Sequence, residues 1–188
     1  MKTVIVFLAD GFEECEGLLV VDLLRRAQIQ VITASIMGRK ELTSSHNVTL
    51  FADALAEDLD YAQADMIVLP GGLPGTNHLR ENRIVREQCV RFAQDKYVAA
   101  ICAAPSVLAD LGLLEGKIAT CNPAFEDKMA GALISHESVS AAGNIITGQG
   151  LGAAIPFALK LIEALDGKTA SEKIAEAICC RGRKAVNK

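Results

Sequence analysis

The sequence lacks metal-ligand spacing: its six cysteines include no C-x-x-C pair, and none of its three histidines stands at zinc-site distance from one, so no structural metal is expected. It also lacks an apolar run of the roughly eighteen residues that a membrane-spanning helix requires. The opening MKTVIVFLADGFEE turns acidic without a small-residue cleavage site, so it reads as a first strand rather than a secretory signal. There is no excess of basic residues. Nineteen Lys and Arg are scattered among 23 Asp and Glu, for a net charge of −4, which excludes the broad cationic face that nucleic-acid backbones select. The exception, Arg181, Arg183, Lys184 and Lys188, reads as a solvated chain end. Linkers, repeats and low-complexity tracts are absent as well. The expectation is one cytoplasmic domain over residues 1–188 with reduced thiols, no nucleic-acid or membrane partner and no cofactor.

What is present is an apolar fraction of 51%, distributed in alternating periodicities. KTVIVFL is β-rich, CEGLLVVDLLRRA carries apolar residues at helical spacing, and QVITASI is β-branched again, which reads as β-α-β. Residues 36–53 mix turn formers with short alternating stretches and suit an antiparallel excursion at a sheet edge. DMIVLP is a buried strand closed by Gly71-Gly72, and residues 77–95 have helical periodicity with Leu79, Ile84, Val85 and Phe92 facing inward. YVAAIC is another buried strand. The helix APSVLADLGLL opens on Pro105 and halts at Gly112. KIATC, SVSAA and NIITG supply further strands. A long helix follows from about Ala153 to Leu165, ended by Gly167, and a short one spans 171–178. This alternation predicts a three-layer α/β/α sandwich around a mostly parallel sheet, whose ligand crevice lies beyond the carboxyl ends of the strands.

Three strand ends therefore carry the chemistry: Asp10 to Glu16, Pro70-Gly71-Gly72, and Cys102-Ala103-Ala104-Pro105. A cysteine at an abrupt strand-to-helix turn has its thiol near free N–H groups and a positive helix end, which favour the thiolate. Ala100, Ala103 and Ala104 are the small neighbours such a turn needs. Gly71 and Gly72 can point amides into the same crevice and form an oxyanion site. Glu16, in a first helical turn, can reach the thiol. A protonated carboxyl would donate to the thiolate, so a raised pKa is predicted for it.

Each element also has a plainer reading. A cysteine ending a buried strand can be core packing, Glu16 can serve the helix dipole, and Pro-Gly-Gly can be only a turn. TGQGLGAA satisfies a nucleotide-binding pattern, but too little chain follows for it, so helix packing explains it better. Cys121 reads as pocket wall or core, Cys15 as packing on the first helix, and the adjacent Cys179 and Cys180 as exposed thiols unsuited to a structural disulfide.

The stretches LADGFEECEG, DLLRRA, VLPGG, AAICAAPSVLA, EDKM and TGQGLGAAIPFALKLIEALDGK together resemble the ThiJ/PfpI superfamily, in the branch of the parkinsonism-associated protein deglycase and its bacterial relatives. The resemblance covers nearly the whole chain. It implies a flavodoxin-like sandwich and a homodimer, with Cys102 as an oxidation-prone nucleophile and Glu16 as its protonated partner and general acid/base. The amides of Gly72 and Ala103 would form the oxyanion site. It further implies cofactor-free conversion of methylglyoxal or glyoxal to a hydroxy acid, deglycation of proteins or nucleotides, or a redox-sensing and chaperone-like role through Cys102. Two positions depart from the pattern: the family's His near the cysteine is Asn122, and an Arg of its dimer-side pocket is His46. With Glu14, these are the remaining pocket candidates. A peptidase or amidotransferase reading wants a Cys-His pair, and none of His46, His78 and His136 has an evident place beside the elbow.

Overall fold

The structure, a computed structural model, describes residues 1–180; the basic cluster from Arg181 onward lies outside the described residues. Strand β1 (Thr3–Leu8) is buried on both faces, and the two faces feed different cores. Val4, Val6 and Leu8 pack in one cluster with helices α1 (Glu14–Arg26) and α5 (Ala154–Asp166), while Ile5 and Phe7 pack in the other. That second cluster takes in α2 (Gly75–Glu81), α3 (Arg83–Asp95) and α4 (Pro105–Asp110). An uninterrupted apolar strand is what a parallel sheet covered on both sides requires.

The seven-stranded sheet is completed by β2 (Gln30–Ser35), β5 (Ala54–Leu55), β6 (Met66–Leu69), β7 (Tyr97–Ile101), β10 (Val139–Ala142) and β11 (Ile145–Gly148). Its order is β10-β11-β7-β6-β1-β2-β5, and every neighbouring pair is parallel except β10 with β11. The chain leaves β1 for β2 on one side and returns to β6 on the other. This reversal is the topological switch point, the place where such sheets open a crevice. The sandwich read from the alternation of elements is thus the flavodoxin-like one.

Local details depart from the sequence expectation for identifiable reasons. The antiparallel excursion is a hairpin of β3 (Glu41–Thr43) and β4 (Thr49–Phe51) that forms its own sheet instead of joining the main edge. KIATC yields β8 (Ile118–Ala119), which pairs with β9 (Leu133–Ile134) apart from the main sheet. The single helix expected over 77–95 is two helices. Asn82 adopts extended backbone between them, and its side chain accepts from Val85 N at 3.1 Å to cap α3. Helix α6 (Lys168–Ala177) starts earlier than expected because Gly167, at φ +86°, both ends α5 and opens the next helix. Among the described residues no helix is long and apolar enough to cross a membrane.

Candidate active site

The crevice at the switch point is built around a strained cysteine. Cys102 follows β7 with φ +65°, in the left-handed region that a side chain enters at a cost of roughly 1–2 kcal/mol. Its backbone is tied on both sides: Cys102 N donates to Gly148 O at 2.9 Å, and Asn122 N donates to Cys102 O at 2.9 Å. The chain then turns into α4 with Pro105 at its start, where the absent N–H is no loss. Ala100, Ala103 and Ala104 are all buried around the turn, which leaves no room for larger side chains.

Glu16 arrives from α1. Glu13 caps that helix, its carboxylate accepting Glu16 N–H at 2.7 Å, and this aims the first turn into the crevice. The Glu16 side chain is 1% exposed. Its Oε2 accepts Gly71 N–H at 3.0 Å, and its Oε1 has no partner of hydrogen-bond geometry among the described residues. A Cβ on Gly71 would lie 2.5 Å from Glu16 Oε2 and 3.1 Å from Cys102 Sγ, so carboxyl and thiol meet across this glycine. Burial, opposed by contacts with Cys102 and Gly71, pushes the Glu16 pKa up to about 7. The expected elevation is present.

Two expectations need correction. Gly71 N–H is committed to Glu16 and is not an oxyanion donor; the residue's contribution is clearance. The amides that do face the sulfur are those of Ala103 and Gly72. The surroundings, moreover, oppose the thiolate expected from the helix end. Burial first, then the charge of Glu16, outweigh those two amides and push the Cys102 thiol up to about 12. Protonating Glu16 removes that repulsion but not the burial, so the carboxyl and the thiol titrate as a coupled pair.

Gly72 is the second position where backbone geometry demands glycine. It has φ +88°, and a Cβ there would lie 2.3 Å from Glu13 N. Gly72→Ala is expected to destabilise the fold by about 2–4 kcal/mol, read as a lowered urea midpoint; an unchanged midpoint would contradict this geometry.

Asn122 lies beside the cysteine. Its Oδ1 accepts Ala124 N–H at 3.0 Å, which fixes the amide so that Nδ2 is left for the crevice. A Cβ on Gly150 would be 3.7 Å from that Nδ2 and 4.0 Å from Cys102 Sγ. Gly150 therefore lines the site, which the sequence reading missed by assigning its G-x-G segment to helix packing alone. Glu14 and His46 pair with each other instead, Oε1 to Nδ1 at 3.0 Å, and the His46 side chain is 70% exposed. With Glu13 they bring ligand atoms within 4.8 Å of one another, the arrangement in the described residues that could hold a metal ion. Two hollows elsewhere, of about 390 Å³ along α3 and about 210 Å³ beside α5 and β10, contain none of the residues around the sulfur.

Of the other thiols, Cys121 is buried, as expected, and burial raises it to about 11. Cys89 is buried in the core. Cys15 is exposed, which corrects the expectation that it packs: it occupies the solvent side of α1, while Glu16, one residue on, points inward.

A doubly wound α/β sandwich whose switch point holds a cysteine elbow against a buried carboxyl defines a protein of flavodoxin-like class with a candidate thiol site. Comparison with known proteins narrows this. The family model described as "DJ-1/PfpI family" matches residues 2–164, and the chain belongs to that family. Protein dj-1beta of Drosophila melanogaster is 35% identical over 94% of this chain and 96% of its own length. Glutathione-independent glyoxalase DJR-1.2 of Caenorhabditis elegans is 28% identical over 95% of this chain and 96% of its own. A solved structure, Toxoplasma gondii DJ-1, oxidized, superposes with a TM-score of 0.91 at 35% identity, covering 95% of this chain and 98% of that one.

Proposed function

We propose that this chain converts small 2-oxoaldehydes such as methylglyoxal and glyoxal to the corresponding hydroxy acids, without glutathione, metal or nucleotide. The carrying observation is the meeting of Cys102 Sγ and the Glu16 carboxyl across Gly71. The glyoxalase name of the C. elegans relative supports the same reading.

Glu16 takes the thiol proton as sulfur adds to the aldehyde carbon, and the carbonyl π pair moves to oxygen beside the Gly72 and Ala103 amides. Protonation of that oxygen gives a hemithioacetal. Glu16 then removes the proton from this carbon and returns one to the neighbouring carbon through an enediol, which leaves a thioester of the 2-hydroxy acid. Water cleaves the thioester, releasing the acid and restoring the thiol. The first carbon is oxidised, the second is reduced, and one water is consumed. A carboxyl with a pKa of about 7 accepts and donates protons with equal ease near neutrality, as this shuttle requires. The Asn122 amide orients the second carbonyl oxygen but relays no proton. The chain acts as a cytoplasmic homodimer, and deglycation of early glyoxal adducts on proteins or nucleotides is the same chemistry on a larger substrate.

The test is lactate formation from methylglyoxal without glutathione or added metal. Many turnovers per chain are expected; consumption of a single equivalent would refute catalysis. That second result would favour redox sensing, in which peroxide oxidises Cys102 to a sulfinate held by Glu16 and the two amides. The relative described as oxidized gives this second reading its specific support. The peptidase reading finds no histidine for the elbow. His46 pairs with Glu14, His136 lies 3.4 Å from Glu126, and His78 is on α2.

A further inference from the structure

Behind the elbow, the guanidinium of Arg80 reaches from α2 to the first turn of α4. Its Nη2 donates to Ser106 Oγ at 2.5 Å, its Nε to Asp110 Oδ2 at 2.6 Å and its Nη1 to Asn77 Oδ1 at 3.2 Å. Ser106 is fully buried, and its Oγ also lies 2.6 Å from Ala103 O. A guanidinium has donors only, so the serine hydroxyl spends its one proton on the Ala103 carbonyl, and the direction of the relay is determined. The Ala103 C=O thus accepts both the Ser106 hydroxyl and, at 3.2 Å, the Ser106 N–H, while the Ala103 N–H faces the Cys102 sulfur. The preceding residue is the strained Cys102, whose adjoining peptide gains by relaxing if nothing restrains it.

We propose that Arg80, acting through Ser106, is a positioning residue of the nucleophile elbow, holding the Ala103 amide toward the Cys102 sulfur. The Arg80–Asp110 pair by itself does not account for this role. Asp110 is 42% exposed, and exposed ion pairs contribute about 0–1 kcal/mol. The buried relay beneath it transmits the effect to the sulfur. Glu16 is the titratable group facing that sulfur, and it is unchanged in every variant below.

The experiment is iodoacetamide alkylation of the full chain across pH, with the Cys102 peptide quantified by mass spectrometry and the exposed Cys179 as internal reference. This readout needs no aldehyde turnover, so the inference and the proposed activity can fail separately. Arg80→Ala and Ser106→Ala are each expected to slow alkylation at Cys102 about tenfold relative to Cys179 at every pH from about 7 to 9. Arg80→Lys, still a donor-only cation, restores most of the rate. Asp110→Asn, which leaves the Arg80–Ser106 bond in place, stays within about twofold. A Cys102 alkylation rate that does not change relative to Cys179 in Arg80→Ala while thermal stability falls would reduce Arg80 to a structural role and overturn the proposal. So would an Asp110→Asn effect equal to that of Arg80→Ala. If Arg80→Ala does not fold, Ser106→Ala decides by the same criterion.

Discussion

Cys102→Ser is expected to lower lactate formation from methylglyoxal by at least about 1,000-fold, with the fold and its urea midpoint nearly unchanged. Serine fits the elbow as cysteine does and inherits the same φ of +65°. Chemically it differs in one decisive respect. A carboxyl with a pKa of about 7 can exchange a proton with a thiol whose affinity depends on that carboxyl's own charge, but an alcohol holds its proton too tightly for the exchange to be productive. No other thiol replaces it. Cys89 and Cys121 are buried, Cys15 is exposed on α1, and Cys179 and Cys180 are exposed beyond the end of α6. Lactate assay of the purified variant checks the expectation, and retained turnover would move the chemistry away from the elbow.

Glu16→Gln is expected to cost activity and add stability. Turnover falls by at least about 100-fold, because the amide neither accepts nor donates the proton that must pass between adjacent carbons. The stability change follows from the same burial. In the folded chain the Glu16 pKa is about 7, against an ordinary 4.5. The folded state therefore binds more protons between those values, and stability falls as pH rises through that window. The accumulated loss amounts to about 3 kcal/mol above pH 7. Glutamine is neutral throughout and keeps an acceptor for Gly71 N–H. The variant should therefore exceed the native chain by up to about 3 kcal/mol at pH 8, with the excess gone below pH 4.5. Urea unfolding at a series of pH values measures this. An excess that does not change with pH would show that Glu16 is not a buried titrating acid.

That penalty explains why the site was legible in outline but not in the proton affinity of its sulfur. The pairing of Cys102 with Glu16 could be inferred because each residue follows a recognisable strand in a sheet whose crevice position is a rule of topology. The raised pKa of Glu16 could be anticipated too, but the direction of the shift at the sulfur could not. An amide next to a cysteine favours the thiolate, and only the depth of burial showed that desolvation overcomes it. Gly71 was misassigned for a related reason: its N–H was free to point anywhere until the fold aimed it at Glu16.

What the sequence by itself determined is whatever short-range physics decides. The unbroken apolar run of β1 makes a strand buried on both faces, Pro105 and Gly112 bound a helical segment, and small residues around Cys102 permit a cramped turn. These effects act over a few residues, so composition and spacing suffice to read them. Tertiary structure alone decided the placement of β6 between β1 and β7, the bond from Gly71 to a carboxyl 55 residues away, the Gly150 wall and the Arg80 relay. It also placed Cys15 in solvent and Glu16, one residue later, out of it. Desolvation and hydrogen-bond partnership depend on which distant segments the chain brings back to a point in space, and no local pattern encodes that return.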